Sequence, residues 1–469
     1  MKVRLILILS LVASLLPGQQ VLAQNLAEYP DYVIQPGDSL GYIANLFNTS
    51  VEEIVQLNNM SDPDLISPGQ LIKIPGFQGI QGTLSIISTD LGENFSYLPV
   101  KYQTDQNTLI RINRLLSPTQ VYAGSELIIP ISGNSDPLVP VSKIQEKETG
   151  LEAAVNLGIN PHTLSLLNSR NDVNLAISES ILFAPTTSER IALDLFAPPI
   201  SEVVLSPLPL VQGGTEVVYI KSDHPIKLSG DLGGHPLNFF SENSGEYYAL
   251  QGVYAMAGPG LTDFSLTGVF EDGSTYTFAQ KILVVPGDFN EDPPLIVDPK
   301  TIDPSVTEPE NELVLSLVSK VTPTKYWSEI FNSPAVYQEY NSLFGTRRRY
   351  NDDPTVTFHT GVDFAGGLTL PITAPAPGQV VFAGPLTVRG NAVFIDHGWG
   401  VFSGFFHQDT LLVKVGDYVT TGQQIGTVGN TGRVNGAGDY YGAGAHLHWE
   451  LWVNGVQVDP LDWLSFSYP

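Results

Sequence analysis

The spacing of hydrophobic and polar positions changes several times along the 469 residues, and each change predicts a different kind of element. The N-terminal part alternates short β-type runs with short amphipathic helical runs. From about residue 197, short β-type runs are separated by Gly, Pro and Asp turns. From about residue 340, apolar strands alternate with glycine turns, which predicts a compact antiparallel sheet. The pattern predicts a multidomain chain of small α+β modules, a β-sandwich-like middle domain and a mainly-β antiparallel C-terminal domain.

Residues 31–76 show the order strand, helix, helix, strand. Val33 opens a short strand, and Asp38 or Ser39 can cap the first helix. Thr49-Ser50 starts a second helix, and a last strand follows the Ser67-Pro-Gly69 turn. The Gly-Asp-Ser-Leu opening, the Leu-Asn at the second helix end and the Pro-Gly-Gln-x-Leu-x-Ile-Pro close resemble a LysM module, which implies binding of peptidoglycan or chitin.

The same pattern recurs more faintly twice. Residues 81–131 repeat it as a degenerate LysM module, with Leu109-Ile-Arg-Ile-Asn113 and a strand that ends at Pro130. Residues 140–190 keep only Leu164-Ser-Leu-Leu-Asn168 and Ile181-Leu-Phe-Ala-Pro185. For this third segment, a LysM-like module and a different α+β spacer both stay open.

The middle of the chain carries no recognisable motif. Residues 197–287 predict an immunoglobulin-like sandwich, because strands recur at regular spacing without a helical stretch. Residues 288–324 predict an acidic, Pro-rich linker whose helical run, Asn311 to Val321, packs on the next domain. The isolated histidines lack metal-ligand spacing and are interpreted as surface, turn or helix-cap residues: His162, His224 and His235.

The N-terminal residues, the net charge and the absence of cysteine exclude several classes of function. Residues 1–23 predict a cleaved export signal, with an uncleaved anchor as the alternative, and no later segment could span a membrane. The formal net charge of −26 argues against nucleic acid and against docking on anionic lipid. The chain has no cysteine, so disulfides, thiolate ligands and cysteine nucleophiles are excluded. These features favour a bacterial envelope protein outside the cytoplasmic membrane.

Two histidine patterns in the last quarter predict a divalent metal site. His446 and His448 are two apart in a predicted strand and therefore share a face. His359 and Asp363 are four apart, an even spacing that also allows one face. Two imidazoles and a carboxylate are the ligand set of a catalytic zinc, whose fourth position is left to water. His446 and His448 together offer one imidazole more than this set needs, and the spare could do proton chemistry.

The surrounding motifs carry a second resemblance. They run from Phe344-Gly-Thr-Arg347 through Phe358-His-Thr-Gly-Val-Asp-Phe364 and Gly404-Phe-Phe-His407 to His446-Leu-His-Trp-Glu450. In order and spacing they resemble the lysostaphin-type (family M23) zinc endopeptidases of bacterial peptidoglycan, within a domain placed at 325–469. The resemblance implies one Zn²⁺ per chain on His359, Asp363 and His448. It also implies that His407 and His446 are catalytic residues beside the bound water.

Several positions near these motifs carry weaker signals. His397 is interpreted as structural, and Arg347 as either a substrate contact or a partner of an acid. The family's tyrosine two residues before the strand histidine is Phe405 here. If that hydroxyl helps hold the oxyanion, its loss lowers the rate. A long Gly-rich loop, 433–445, replaces a short turn, and Tyr440 and Tyr441 are predicted to contact peptide.

The leading prediction is an exported zinc metalloendopeptidase of peptidoglycan. The LysM modules would hold the glycan, and the peptidase domain would cut a stem peptide or cross-bridge. One alternative is a wall-binding protein that activates another hydrolase, and another is a carbohydrate-binding scaffold. All five site residues are present, which favours the enzyme. The base and the acid cannot be assigned between His407 and His446, and the oligomeric state does not follow from the sequence.

Overall fold

The computed structural model describes residues 29–469, except 118–119, 132–136, 145–146, 170–179, 187–199, 352 and 435–443. The predicted export signal and Tyr440 and Tyr441 lie outside the described residues. Within the described part, no helix combines the length and the apolar surface needed to cross a bilayer. The chain divides into two compact units, Met1–Ser85 with Pro130–Asn134, and Ile86–Ile129 with Ser135–Pro469.

The first unit contains the predicted strand-helix-helix-strand order. Its elements are β1 (Asp31–Val33), α1 (Leu40–Phe47), α2 (Val51–Asn58) and β2 (Leu71–Lys73). The two strands pair antiparallel, with Tyr32 opposite Ile72. The side chain of Ser39 caps α1, and Ser50 forms a capping box with Glu53 at α2. Both helices begin where the sequence predicts, because these caps satisfy backbone N–H groups that have no partner within the helix.

Two further segments repeat this order. The first contains β3 (Thr83–Ser88), α3 (Leu98–Lys101), α4 (Gln106–Asn113) and β4 (Glu126–Ile131). The second contains β5 (Val139–Lys143), α5 (Gly150–Asn156), α6 (Pro161–Leu167) and β6 (Ile181–Ala184), with β5 and β6 paired antiparallel.

An asparagine at the end of each second helix performs the same structural task in all three segments. Asn58, Asn113 and Asn168 each donate through Nδ2 to the carbonyl four residues earlier. Each also donates to and accepts from the backbone of the residue fifteen positions later, on or beside the last strand. The asparagine therefore fastens the second helix to that strand. This shared lock is a structural feature that the segment 140–190 has in common with the two segments before it.

The middle of the chain is a β-sandwich, which confirms the predicted class. Its strands are β7 (Ile200–Ser206), β8 (Leu210–Val211), β9 (Thr215–Ser222), β10 (Ile226–Leu232), β11 (His235–Pro236), β12 (Glu246–Gly252), β13 (Gly260–Phe270) and β14 (Thr275–Val285). One sheet has the order β11-β10-β13-β14-β8 and the other β12-β9-β7. Val218 and Ile220 from one sheet pack against Phe264 and Leu266 from the other. Side chains alternate between this core and the outside, as the period of two requires.

The linker helix is longer than the sequence pattern indicates. After a 3₁₀ turn at Pro299–Thr301, α7 runs over Pro304–Val318. It begins well before the predicted Asn311, because the Asp303 side chain caps it and Pro304 occupies its first turn. Val314, Leu317 and Val318 pack against aromatic residues of the C-terminal domain, as the predicted packing helix requires.

The C-terminal domain is an antiparallel sheet with the order β15-β18-β25-β22-β21-β20-β23, and β19, β24 and β26 pair beside it. Its elements are β15 (Tyr340–Ser342), β16 (Arg347–Arg348), β17 (Thr357–Phe358), β18 (Val362–Ala365), β19 (Pro371–Thr373), β20 (Gly378–Leu386), β21 (Gly390–Gly398), β22 (Val401–Leu411), β23 (Tyr418–Val419), β24 (Gln424–Val428), β25 (His446–Val453), β26 (Val456–Val458) and α8 (Pro460–Ser465). The predicted mainly-β antiparallel fold is confirmed. Strand β25 lies between β18 and β22, and this position brings three separate sequence motifs together.

Candidate metal centre

The three predicted metal ligands meet at the junction of β18 and β25. The register places Asp363 directly opposite His448. His359 lies between β17 and β18, whereas Asp363 lies on β18. The two side chains therefore do not converge because of an even spacing along one strand. His359 Nε2 is 3.0 Å from Asp363 Oδ1 and 3.0 Å from His448 Nδ1, and His448 Nδ1 is 2.7 Å from Asp363 Oδ1. All three residues are buried.

Outer contacts orient each of these side chains. His359 Nδ1 lies 3.0 Å from the Leu343 carbonyl, which fixes its proton there and leaves Nε2 as a lone-pair donor. His448 Nε2 faces Glu450 Oε1 at 3.6 Å, so its Nδ1 is left for the cluster. The second carboxylate oxygen of Asp363 faces Arg348 Nη2 at 3.5 Å.

The electrostatics favour a positive charge in the cluster. Burial alone would raise the pKa of Asp363, but the neighbouring His359 and His446 hold it well below its ordinary value. Burial opposes ionisation of Glu450 too, yet the contact with His448 and the charge of Arg389 bring its pKa to about 2. Two buried carboxylates therefore flank the two imidazoles. Nitrogen and oxygen donors that converge in this way fit a divalent ion such as zinc.

The two predicted catalytic histidines lie beside the cluster. His446 Nε2 is 3.5 Å from Asp363 Oδ1, and the rings of His407 and His446 are 4.9 Å apart. Each Nδ1 lies 2.7 Å from a backbone carbonyl, Thr431 for His407 and Gly444 for His446. Each Nδ1 proton is therefore held by the backbone, and each Nε2 lone pair is left for chemistry. Burial, together with the nearby His446 and His448, lowers the pKa of His407 well below its ordinary value, so this ring is neutral.

His407 reaches the site through an unusual backbone conformation. In β22 it is Phe406 that pairs with His448, and the pairing with β24 is irregular just beyond, between Gln408 and Thr410. His407 has φ of 60°, in the left-handed region that residues with a side chain rarely adopt. Such irregularities re-aim side chains next to functional sites. The irregular backbone turns His407 toward His446.

An open cleft of about 840 Å³ contains all five predicted site residues. The linker and α7 line it through residues such as Leu295 and Thr307. Residues of the sheet, and others such as Asn341 and Thr360, also line it. The cleft is large enough for a peptide segment of a few residues.

The weaker sequence signals lie away from the cluster. Phe405 is fully buried in the core with Trp449, so a hydroxyl at this position would lie in the core and not in the cleft. Within the described part of the chain, the Arg347 side chain forms no ion pair with an acid and does not reach the cluster: Nη2 donates to the Ala255 carbonyl, and the guanidinium lies over Phe289. The three histidines that the sequence places apart from any metal-ligand pattern are exposed and lie outside the cluster: His162, His224 and His235.

Sequence reasoning missed Arg348 and Glu450, which contact Asp363 and His448 respectively. Glu450 carried a usable signal, because it is two residues beyond His448 on a strand and so shares its face. Arg348 carried no such signal, because only the fold shows that it, and not Arg347 or Arg349, faces Asp363.

His397 is structural, as the sequence predicted. It is fully buried, with Nδ1 2.8 Å from the Pro377 carbonyl and Nε2 2.9 Å from Ser403 Oγ. Nδ1 donates to the carbonyl and Nε2 accepts from the hydroxyl, so the neutral ring satisfies both contacts. Burial lowers its pKa from 6.5 to about 4.

This pKa predicts a pH-dependent stability. Between pH 6.5 and 4 the unfolded chain binds a proton at His397 and the folded chain does not, so stability falls as the pH falls. From pH 7.5 to 4.5 we expect a loss of about 2.5 kcal/mol from this residue. All five tryptophans belong to the C-terminal domain, so urea unfolding followed by their fluorescence measures this domain. The free energy of unfolding of a His397→Gln variant should fall correspondingly less over the same pH interval. Equal losses in the variant and the wild type would contradict the assignment of this pH dependence to His397.

Several segments of the chain are similar to known proteins. Residues 357–460 match the sequence model of peptidase family M23, and residues 32–75 and 91–130 match that of the LysM domain. The peptidoglycan DD-endopeptidase ShyC of Vibrio cholerae serotype O1 is 34% identical over 128 residues, 27% of this chain and 28% of ShyC. The murein hydrolase activator NlpD of Salmonella dublin is 37% identical over 105 residues, 22% of this chain and 26% of NlpD. The solved catalytic domain of lysostaphin from Staphylococcus simulans is 28% identical with a TM-score of 0.21, over 30% of this chain and 93% of that domain.

The donor cluster lies within the part of the chain that matches the model of peptidase family M23. One C-terminal segment is thus similar to peptidase family M23, and two segments nearer the N-terminus are similar to the LysM domain. The matches span less than a third of the length of the two curated relatives.

Proposed function

We propose that this chain is an exported zinc metalloendopeptidase that hydrolyses peptide bonds of bacterial peptidoglycan, in a stem peptide or a cross-bridge. The observation that carries the proposal is the convergence of three metal-donor side chains and two further imidazoles in one open cleft. The similarity to ShyC, named a peptidoglycan DD-endopeptidase, supports a bond between two D-residues. The proposal of export rests on residues 1–23, whose sequence is typical of an export signal.

In this proposal His359, Asp363 and His448 hold one zinc ion per chain. Zinc, when bound, polarises a carbonyl group and lowers the pKa of water toward ~7. Asp363 and Glu450 would compensate the charge of the ion. The Leu343 carbonyl and the Glu450 carboxylate keep the two ligand imidazoles in the required tautomers.

The proton transfers fall to His407 and His446. Hydrolysis of an amide requires that a proton leave the attacking water and that another reach the leaving nitrogen. Both Nε2 atoms are free to accept a proton, because both Nδ1 atoms are held by carbonyls. His446 lies closer to the metal ligands and His407 deeper in the sheet, so the two imidazoles approach the reacting bond from different strands.

The second candidate is a wall-binding protein that activates another hydrolase. It is favoured by the match to NlpD, a murein hydrolase activator. An activator needs neither metal ligands nor proton-transfer groups, so selection would not be expected to keep all five. The presence of all five in one cleft supports the enzyme.

Incubation of the purified full chain with isolated peptidoglycan, followed by mass spectrometry of the muropeptides, tests the choice. We expect cleaved peptide products that disappear with a chelator and return with added zinc. Products from the chain in the presence of chelator would contradict a zinc enzyme. Products that appear only when a second hydrolase is added would support the activator.

The three N-terminal segments are proposed to bind wall glycan. Two match the LysM model, and the Asn168 lock supports the third as a LysM-like module. Leu91 and Ala123 belong to the core of the sandwich, so a deletion should spare residues beyond about 80. We expect a variant without residues 24–80 to sediment less with peptidoglycan, yet to cut soluble muropeptides at the wild-type rate. Undiminished sedimentation would show that this module does not bind the wall.

A further inference from the structure

Three arginines line the described part of the cleft, and two of them are already neutralised by acids. Arg348 donates through Nε to Asp292 at 3.0 Å and faces Asp363. Arg389 donates to the buried Glu310 at 3.0 Å. These two arginines serve the fold and the metal centre, and a substrate anion would have to displace a carboxylate to reach them.

The third arginine, Arg433, has no acid partner among the described residues. Its Nη1 donates to the Thr301 carbonyl at 3.3 Å, and its guanidinium lies over the Tyr350 ring, 4.6 Å from the centroid. The described residues offer no further acceptor, so Nε and Nη2 remain available on one edge of the guanidinium. This edge is the fork that binds a carboxylate through two parallel hydrogen bonds.

The position of Arg433 ties it to the catalytic centre. Its backbone N–H donates to the Val388 carbonyl at 2.8 Å. Two residues earlier, the carbonyl of Thr431 holds His407 Nδ1. A guanidinium with a stacked ring on one side and a carbonyl on its edge loses little additional freedom when it binds an anion.

From these contacts we propose that Arg433, braced by Tyr350 and Thr301, is a specificity determinant that binds a free carboxylate of the peptide substrate. The proposal rests on the proposed peptidase function and adds the substrate class, a peptide with a carboxylate close to the bond that is cut. The net charge of −26 means that the protein as a whole repels anions. A substrate carboxylate therefore needs a local cation such as Arg433.

Two synthetic muropeptide dimers provide the test. They differ only in one group beside the cross-link, a free carboxylate in one and a carboxamide in the other. With the zinc-loaded full chain we expect kcat/KM to be roughly 10-fold higher for the carboxylate dimer. In Arg433→Gln the ratio of the two kcat/KM values should fall to about 1, and Arg433→Lys should keep part of the preference because it retains the charge without the fork.

Arg349→Gln is the matched control. It removes the same charge from a nearby position, but Arg349 is paired with Glu291 and lies outside the lining of the cleft. Its ratio should equal that of the wild type. If Arg433→Gln keeps the wild-type ratio, or the wild type shows no preference, Arg433 is only a brace of the cleft wall and the proposal fails.

A binding measurement separates this failure from a failure of the peptidase function. Isothermal titration of the same two dimers into chelated protein reports carboxylate recognition without turnover. A preference for the carboxylate dimer that disappears in Arg433→Gln supports the proposal even if neither dimer is cut, in which case only the peptidase function fails. Equal affinities in the wild type would overturn the proposal whether or not the dimers are cut.

Discussion

Replacement of His448 by alanine is expected to weaken zinc binding strongly and to abolish the activity. His448 Nδ1 lies within 3.0 Å of donor atoms from both other ligands, so its loss leaves an incomplete set. If a four-ligand zinc site provides 10–16 kcal/mol of binding, one ligand accounts for roughly 3 kcal/mol, or about 100-fold in affinity. Competition with a chromophoric chelator measures this affinity, and the muropeptide assay measures the rate.

His446→Ala is the matched variant on the same strand and face. Its Nε2 is 3.5 Å from Asp363, and it does not belong to the three-donor cluster. We expect it to bind zinc with near wild-type affinity but to lose at least about 100-fold in kcat, the usual contribution of a proton-transfer group. If both variants lose zinc equally, the assignment of His448 as a metal ligand and of His446 as a proton-transfer residue is wrong.

Gly361→Ala is expected to damage the metal site without altering any ligand. A Cβ at this position would lie 2.2 Å from the Trp449 carbonyl oxygen and 2.8 Å from His448 Nε2. Because the first of these atoms is backbone of β25, the strand that carries His448 would have to shift. We expect zinc affinity to fall roughly 10- to 100-fold, as when the outer contacts of a ligand are lost.

Gly367→Ala provides the control for this substitution. Gly367 lies in the turn after β18, and a Cβ there meets no atom within 4 Å. Its zinc affinity and thermal midpoint should match those of the wild type. An equal loss in the two variants would mean that general destabilisation, rather than the contact with β25, is responsible.

Residues that act through local geometry could be predicted from the sequence. Ser39 and Ser50 cap helices where the pattern placed them, because a cap depends only on residues within one turn. His446 and His448 share a face because they are two apart in one strand. The helix α7 was placed too late, because its start depends on Asp303 and Pro304, which the composition marked as linker.

Other features required the folded chain. Three neighbouring arginines, Arg347 to Arg349, contact the sandwich, the proposed metal ligand Asp363 and the exposed Glu291 respectively. No local pattern separates these tasks, since the partners lie up to about a hundred residues away in sequence. Phe405 was suspected as a functional change, yet its position in the core makes it a packing residue.

The sequence by itself determined which residues can bind metal and transfer protons, because imidazole and carboxylate chemistry is a property of the side chain. It also determined the strand and turn periods that hold His446 and His448 on one face. Only the tertiary structure decided that Asp363 stands opposite His448, that the left-handed backbone of His407 turns it toward His446, and that Arg433 is the arginine of the described cleft without an acid. Register, bulges and charge pairing depend on contacts between segments distant in the chain, which the order of residues does not encode locally.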